Sequence, residues 1–130
     1  MTPTYSMNIM RLLIVDDAPY VLKALSDSLS AHGHEVSQAV NGEDALEKYT
    51  RVNPDIVLMD VLMPKLDGVS ATRSLIERDP KAKIIVVTAV GKHGLEKECI
   101  QAGASGFIMK PFKTKDLLNI IDSLGVNERN

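Results

Sequence analysis

The chain has one cysteine, no block of like charge and no apolar run near the ~20 residues needed to cross a bilayer. Each shortage removes a class of function. Cys99 alone can form neither an intrachain disulfide nor a thiolate-rich zinc site, and Glu96 and Glu98 beside it disfavour a reactive thiolate, so it reads as a small hydrophobe. The 15 basic and 17 acidic side chains leave a formal charge of −2 and are mixed in sign along the chain, which argues against nucleic-acid binding by bulk charge. Residues 1–10 lack the basic start and apolar core of a targeting signal. The protein is therefore expected in the cytoplasm, without membrane insertion and without a direct nucleic-acid partner. No Walker-type Gly-rich loop or dinucleotide fingerprint is present, so a nucleotide is not an expected ligand.

What is there is one domain's worth of core. With 130 residues and 45% hydrophobic content, a chain of this size buries roughly 65–70% of its unfolded surface without a structural staple. Residues 1–9 read as an N-terminal extension, 10–126 as the domain and 127–130 as a tail.

Apolar runs and helical stripes alternate five times, the pattern of an α/β fold whose parallel sheet is covered on both faces. Leu12 to Val15 is the first strand, followed by a stripe at Ala18, Val21, Leu22, Leu25 and Leu29, with Pro19 in the first turn and Gly33 at the close. Glu35 to Val40 alternates as an edge strand would, and Asn41-Gly42 opens a helix that Pro54 ends. Asp55 to Asp60 is the third strand, and Met63-Pro64 with Asp67-Gly68 forms a loop before the stripe Val69, Thr72, Leu75 and Ile76, stopped by Asp79-Pro80. Ile84 to Val87 is the fourth strand, Leu95, Cys99 and Ala102 mark a short helix, and Gly106 to Met109 is the fifth strand. A last stripe, Leu117, Ile120, Ile121 and Leu124, precedes Gly125.

In an open parallel sheet, ligands bind beyond the carboxyl ends of the strands. Here those ends are polar: Asp16-Asp17 after the first strand, Asp60 after the third, Thr88 after the fourth and Lys110 after the fifth. Singly, each has an ordinary structural explanation as a cap, a strand former or a surface charge. Together they bring three carboxylates to one edge, where two anions ~5 Å apart repel by roughly 3 kcal/mol at an effective dielectric of ~20. A bound divalent cation removes that cost, and an open all-oxygen site selects a hard ion such as Mg²⁺. Such a site beside a Lys and a Thr hydroxyl suits phosphoryl transfer, with a carboxylate able to serve as nucleophile.

The run Leu12 to Asp17, the loop Asp60-x-x-Met63-Pro64-x-x-Asp67-Gly68, Thr88-Ala89 and Lys110-Pro111-Phe112 resemble the receiver domain of two-component response regulators over residues 10 to 125. The stand-alone, CheY-like chemotaxis type is the nearest form. This resemblance implies a flavodoxin-like three-layer sandwich with five helices and strand order 2-1-3-4-5. It also implies that Asp60 is the phosphoacceptor for a histidine kinase, and that Mg²⁺ is held by Asp16, Asp17, Asp60 and the Leu62 backbone carbonyl. Lys110 would pair with the phosphoryl group, Thr88 and Phe107 would form the switch, and Leu62 and Val90 would tune the phosphoryl lifetime. Phosphorylation would remodel the face of the fourth helix, fifth strand and fifth helix toward an output partner such as a flagellar motor component, with a phosphatase as a further partner. The protein would not be an enzyme beyond its own phosphorylation and dephosphorylation. The Lys110-Pro111 bond is expected cis, where a bend aims the ammonium inward.

Other residues carry plainer expectations. His32 and His34 flank Gly33 as a solvated turn, His93 is a loop residue, Met59 and Met63 are packing residues, and Lys92, Lys97, Lys113 and Lys115 form a solvated face. Three alternatives compete: a receiver serving another pathway or cut from a DNA-binding regulator, an Asp-nucleophile phosphatase, and a flavin mononucleotide protein. The phosphatase class wants Asp-x-Asp after the first strand and a cap over the site. The flavin protein wants a Ser/Thr-rich phosphate loop where Asp16-Asp17 stands.

Overall fold

Five apolar runs form five parallel strands in the computed structural model of the chain, which describes residues 9–63, 66–89 and 91–129. The order is β1 (Arg11–Val15), α1 (Pro19–Ala31), β2 (Glu35–Ala39), α2 (Gly42–Val52), β3 (Ile56–Met59), α3 (Gly68–Arg78), β4 (Ile84–Thr88), α4 (Leu95–Gln101), β5 (Gly106–Met109) and α5 (Thr114–Arg129). The sheet runs β2-β1-β3-β4-β5, the expected order.

The burial pattern explains why periodicity was readable. Every residue of β3 and β4 is buried, as strands covered on both faces must be, whereas β2 at the edge keeps Glu35 and Gln38 exposed. Side chains alternate between two cores. Leu12 and Ile14 of β1 pack with Leu22, Leu29, Leu117 and Ile121 on the α1/α5 face. Leu13 and Val15 pack with Ala45, Ala71 and Leu75 on the α2/α3 face. Each fully buried Leu or Ile contributes about 1.5–3 kcal/mol, and a one-residue register slip would exchange the two faces. A third cluster, Val61, Val69, Val86, Leu95 and Cys99, seats the short α4. Cys99 is fully buried there, and burial with Glu98 and Glu96 nearby pushes its thiol pKa up, as its small-hydrophobe reading requires.

Helix ends follow local chemistry. Asn41 caps α2 by accepting the Asp44 N–H, and Asp67 caps α3 by accepting the Ser70 N–H. Gly33 takes φ +95° as the chain leaves α1. Lys110-Pro111 is cis, as expected.

Two expectations need correcting. Gly125 does not end the last helix, and α5 continues to Arg129, so residues 127–129 are helical. No breaker follows Gly125, and an interior glycine only weakens a helix by about 1 kcal/mol. His34 is not solvated: it is buried, and its Nδ1 accepts the Met10 N–H at 3.1 Å. The turn at Gly33 folds it under the start of β1, a contact between residues 24 apart that local spacing does not reveal.

Candidate functional site

The chain reverses direction across the sheet between β1 and β3, since β2 lies on one side of β1 and β3 on the other. That is the switch point where open α/β sheets form their ligand crevice. Register then decides which residues meet there. Val15 pairs with Met59, and the Asp60 N–H donates to the Val15 carbonyl at 3.0 Å, so the residues that follow the two strands stand side by side. Across β4 and β5, Thr88 pairs with Met109, and the Lys110 N–H donates to the Thr88 carbonyl at 2.8 Å.

Asp16, Asp17 and Asp60 each offer a carboxylate oxygen, and these oxygens lie within 4.8 Å of one another. Asp16 and Asp60 are 4% and 9% exposed, so their repulsion is only partly screened by water, while Asp17 is exposed. Backbone donors hold two of the carboxylates in place: the Ala18 N–H donates to Asp16 Oδ1 at 2.9 Å and the Val61 N–H to Asp60 Oδ1 at 2.9 Å. Lys110 Nζ lies 3.1 Å from Asp16 Oδ2. One ammonium thus serves three carboxylates, and its contact is with Asp16, not Asp60.

The strain falls on Asp60. Burial, reinforced by the charge of Asp16, pushes its pKa up to about 6, while Lys110 and the Val61 N–H oppose the rise and Asp17 adds to it. A divalent cation among the three carboxylates would relieve this repulsion, and an oxygen-only donor set with an exposed member fits a hard ion that keeps water ligands. Among the described residues this is the one such acidic cluster.

The other expected residues are distributed around it. Thr88 is fully buried at the end of β4. Phe107, opposite Val86 in the sheet, is half-buried against the α4 cluster. Leu62 turns its side chain outward, 65% exposed, in the loop after β3. Val90 lies outside the described residues, as does Pro64 of the loop motif. Gly68 is held close to this loop: its N–H donates to the Val61 carbonyl at 2.9 Å, and a Cβ there would overlap the Asp60 carbonyl oxygen.

The model of the response regulator receiver domain matches residues 12–122. The chain belongs to the response regulator receiver family. Among receiver relatives, the chemotaxis protein CheY of Thermotoga maritima is 42% identical over 115 residues, spanning 88% of this chain and 96% of that protein. The CheY of Bacillus subtilis is 42% identical over 113 residues, spanning 86% and 94%. A solved CheX–CheY–BeF3–Mg²⁺ complex from Borrelia burgdorferi superposes with a TM-score of 0.83 at 36% identity, covering 88% of this chain and 87% of that one. The receiver is a signalling module, not a member of a conventional enzyme family, and among the described residues no helix is long and apolar enough to cross a membrane.

Spacing did not reveal which apolar side chains stand exposed at the carboxyl end of the sheet. Tyr20, Val40 and Leu62 are 78%, 50% and 65% exposed, and each follows the carboxyl end of a different strand. For Tyr20 a signal existed: it falls outside the apolar stripe of α1.

Proposed function

We propose that the protein is a phosphorylation-driven switch in the cytoplasm, taking a phosphoryl group from a histidine kinase onto Asp60 and passing the signal to an output partner in chemotaxis. The observation that carries this reading is the Asp16-Asp17-Asp60 cluster with Lys110 at the switch point of the sheet.

An Asp60 pKa of about 6 leaves roughly nine-tenths of the carboxylate ionised at pH 7, so the nucleophile is available while its burial keeps water away. Its free oxygen attacks the phosphorus of a phosphohistidine. The new P–O bond forms as the P–N bond breaks, and the electron pair leaves with the imidazole. Asp16, Asp17, Asp60 and the Leu62 carbonyl would hold Mg²⁺, which would supply charge neutralisation for the phosphoryl oxygens. Lys110 releases Asp16 and pairs with the phosphoryl group, and the Thr88 hydroxyl is drawn to it. Phe107 then moves inward into the space left, which alters the α4-β5-α5 face. On that face Ile100 and Met109 are already exposed for a partner such as a flagellar motor component. Tyr20, Val40 and Leu62, exposed after the ends of β1, β2 and β3, are apolar contacts available to the donor kinase or to a phosphatase. Leu62 and Val90 carry no amide or carboxylate to orient a hydrolytic water, so the phosphorylated form decays slowly.

The deciding experiment is intact-mass analysis after treatment with acetyl phosphate and Mg²⁺. One phosphoryl group on the parent and none on Asp60→Asn is the expected result. A label that persists on Asp60→Asn would move the acceptor elsewhere.

A further inference from the structure

His34 takes no part in the carboxylate chemistry, yet of the three histidines it alone is buried. Its Nδ1 accepts the Met10 N–H at 3.1 Å. A backbone amide can only donate, so the neutral ring must keep a lone pair on Nδ1 and carry its proton on Nε2. This bond ties the lead-in of β1 to the turn at Gly33. Ile9, one residue earlier, is exposed, and its Cγ1 lies over that turn, 4.0 Å from where a Cβ on Gly33 would stand. One residue later the attachment changes in kind: the Arg11 N–H donates to Asp55 Oδ2 and the Asp55 N–H donates to the Arg11 carbonyl, both at 2.7 Å. Met10 itself is held from its other side, by a side chain buried in the α1/α5 core and a carbonyl that accepts the Glu35 N–H at 3.0 Å.

We propose that His34 is a proton-operated latch: protonation of Nδ1 breaks its bond with the Met10 N–H and frees Ile9, with the chain that enters the domain through it, while the sheet from Arg11 onward stays paired. A proton taken from water at Nδ1 turns the acceptor into a donor, so two N–H groups face each other and the bond is lost. The surroundings do not welcome the charge. Burial and His32 at the end of α1 disfavour it, the exposed Asp122 of α5 favours it, and the adjoining Glu35 of β2 and Arg11 of β1 are exposed and opposite in sign. Burial outweighs Asp122 and holds the His34 pKa below 6.5, so the latch is closed above that value and opens as pH falls below it. The opening stops at Arg11, because a carboxyl group keeps an acceptor oxygen in either protonation state.

The test follows the imidazole nitrogen shifts of His34 and the exchange protection of the Met10 and Asp55 amides between about pH 8 and about pH 5. In the parent, Met10 protection should fall about tenfold or more with the midpoint of the His34 titration, while Asp55 protection stays within about twofold. His34→Asn offers an acceptor oxygen as many bonds from the backbone as Nδ1 but does not titrate, so its Met10 protection should be flat across the range. Asp122→Asn, at an exposed position, should move the His34 midpoint and the Met10 transition together to lower pH. The proposal is overturned if Met10 protection stays flat while His34 titrates, or if His34 does not titrate before the whole domain unfolds. It is equally overturned if His34→Asn keeps the parent's pH dependence, if Asp55 opens together with Met10, or if Asp122→Asn shifts the ring's midpoint without the Met10 transition.

Discussion

At the amino edge of the sheet, polar groups pair with one another within the fold. Asp55 accepts the Arg11 N–H at 2.7 Å, His34 accepts the Met10 N–H, and the Ser105 N–H donates to the Ile84 carbonyl at 2.7 Å. At the carboxyl edge, three carboxylates share one lysine, and the pKa of Asp60 rises accordingly. The same strands, a few residues apart, end in chemistry that is finished on one side and unfinished on the other. Unsatisfied charge is costly in a domain whose net stability is only about 5–15 kcal/mol, so its persistence at one edge marks where an external group belongs.

The most severe test of this contrast is Asp60→Asn in metal-free buffer. The Asp60 carboxyl binds its proton more tightly when folded, at about 6, than at its ordinary value of 3.8. Its contribution to stability is therefore full below pH 3.8 and is lost as pH rises through about 6. The variant should match the parent near pH 3.5 and exceed it by about 3 kcal/mol at pH 8, measured by urea unfolding. Millimolar Mg²⁺ should then stabilise the parent more than the variant. Equal stability at both pH values would show that the carboxyl edge carries no strain.

The amino edge should respond in the opposite sense. His34→Ala orphans the Met10 N–H and opens a small void, at an expected cost of about 2 kcal/mol. Burial lowers the His34 pKa, with Asp122 opposing and His32 assisting, so its contribution is full above 6.5 and is lost as pH falls below that value. The parent should lose stability on acidification in this window and the variant should lose less. A variant with an unchanged acid limb would remove His34 from the account.

The smallest effect separates strain with a purpose from strain without one. Thr72 in α3 is fully buried and its hydroxyl has no hydrogen-bond partner among the described residues, yet it belongs to neither edge. Thr72→Val keeps the shape and removes the unmet group, so a gain of about 1 kcal/mol in thermal or urea unfolding is expected, with phosphorylation unaltered. A loss of stability would mean that the hydroxyl is satisfied in solution.

The strands were legible because burial on both faces leaves an uninterrupted apolar run, as in Ile56–Met59 and Ile84–Thr88. The acidic cluster was legible because each member directly follows a strand, so chain order alone brings it to the edge. His34 was misread because its environment is supplied by Met10, which arrives only when β1 and β2 pair. The end of α5 was missed because Gly125 can stay helical, and only the folded chain decides whether it does.

The contact of Gly68 with the Asp60 backbone reaches beyond this molecule. A methyl group at position 68 has nowhere to go but into the peptide that carries the acidic residue. Anyone transplanting this loop into a new scaffold must therefore move the glycine and the aspartate together, eight positions apart, as a single cassette. A library that randomises position 68 should return glycine alone among functional clones, however freely the residues between are allowed to vary.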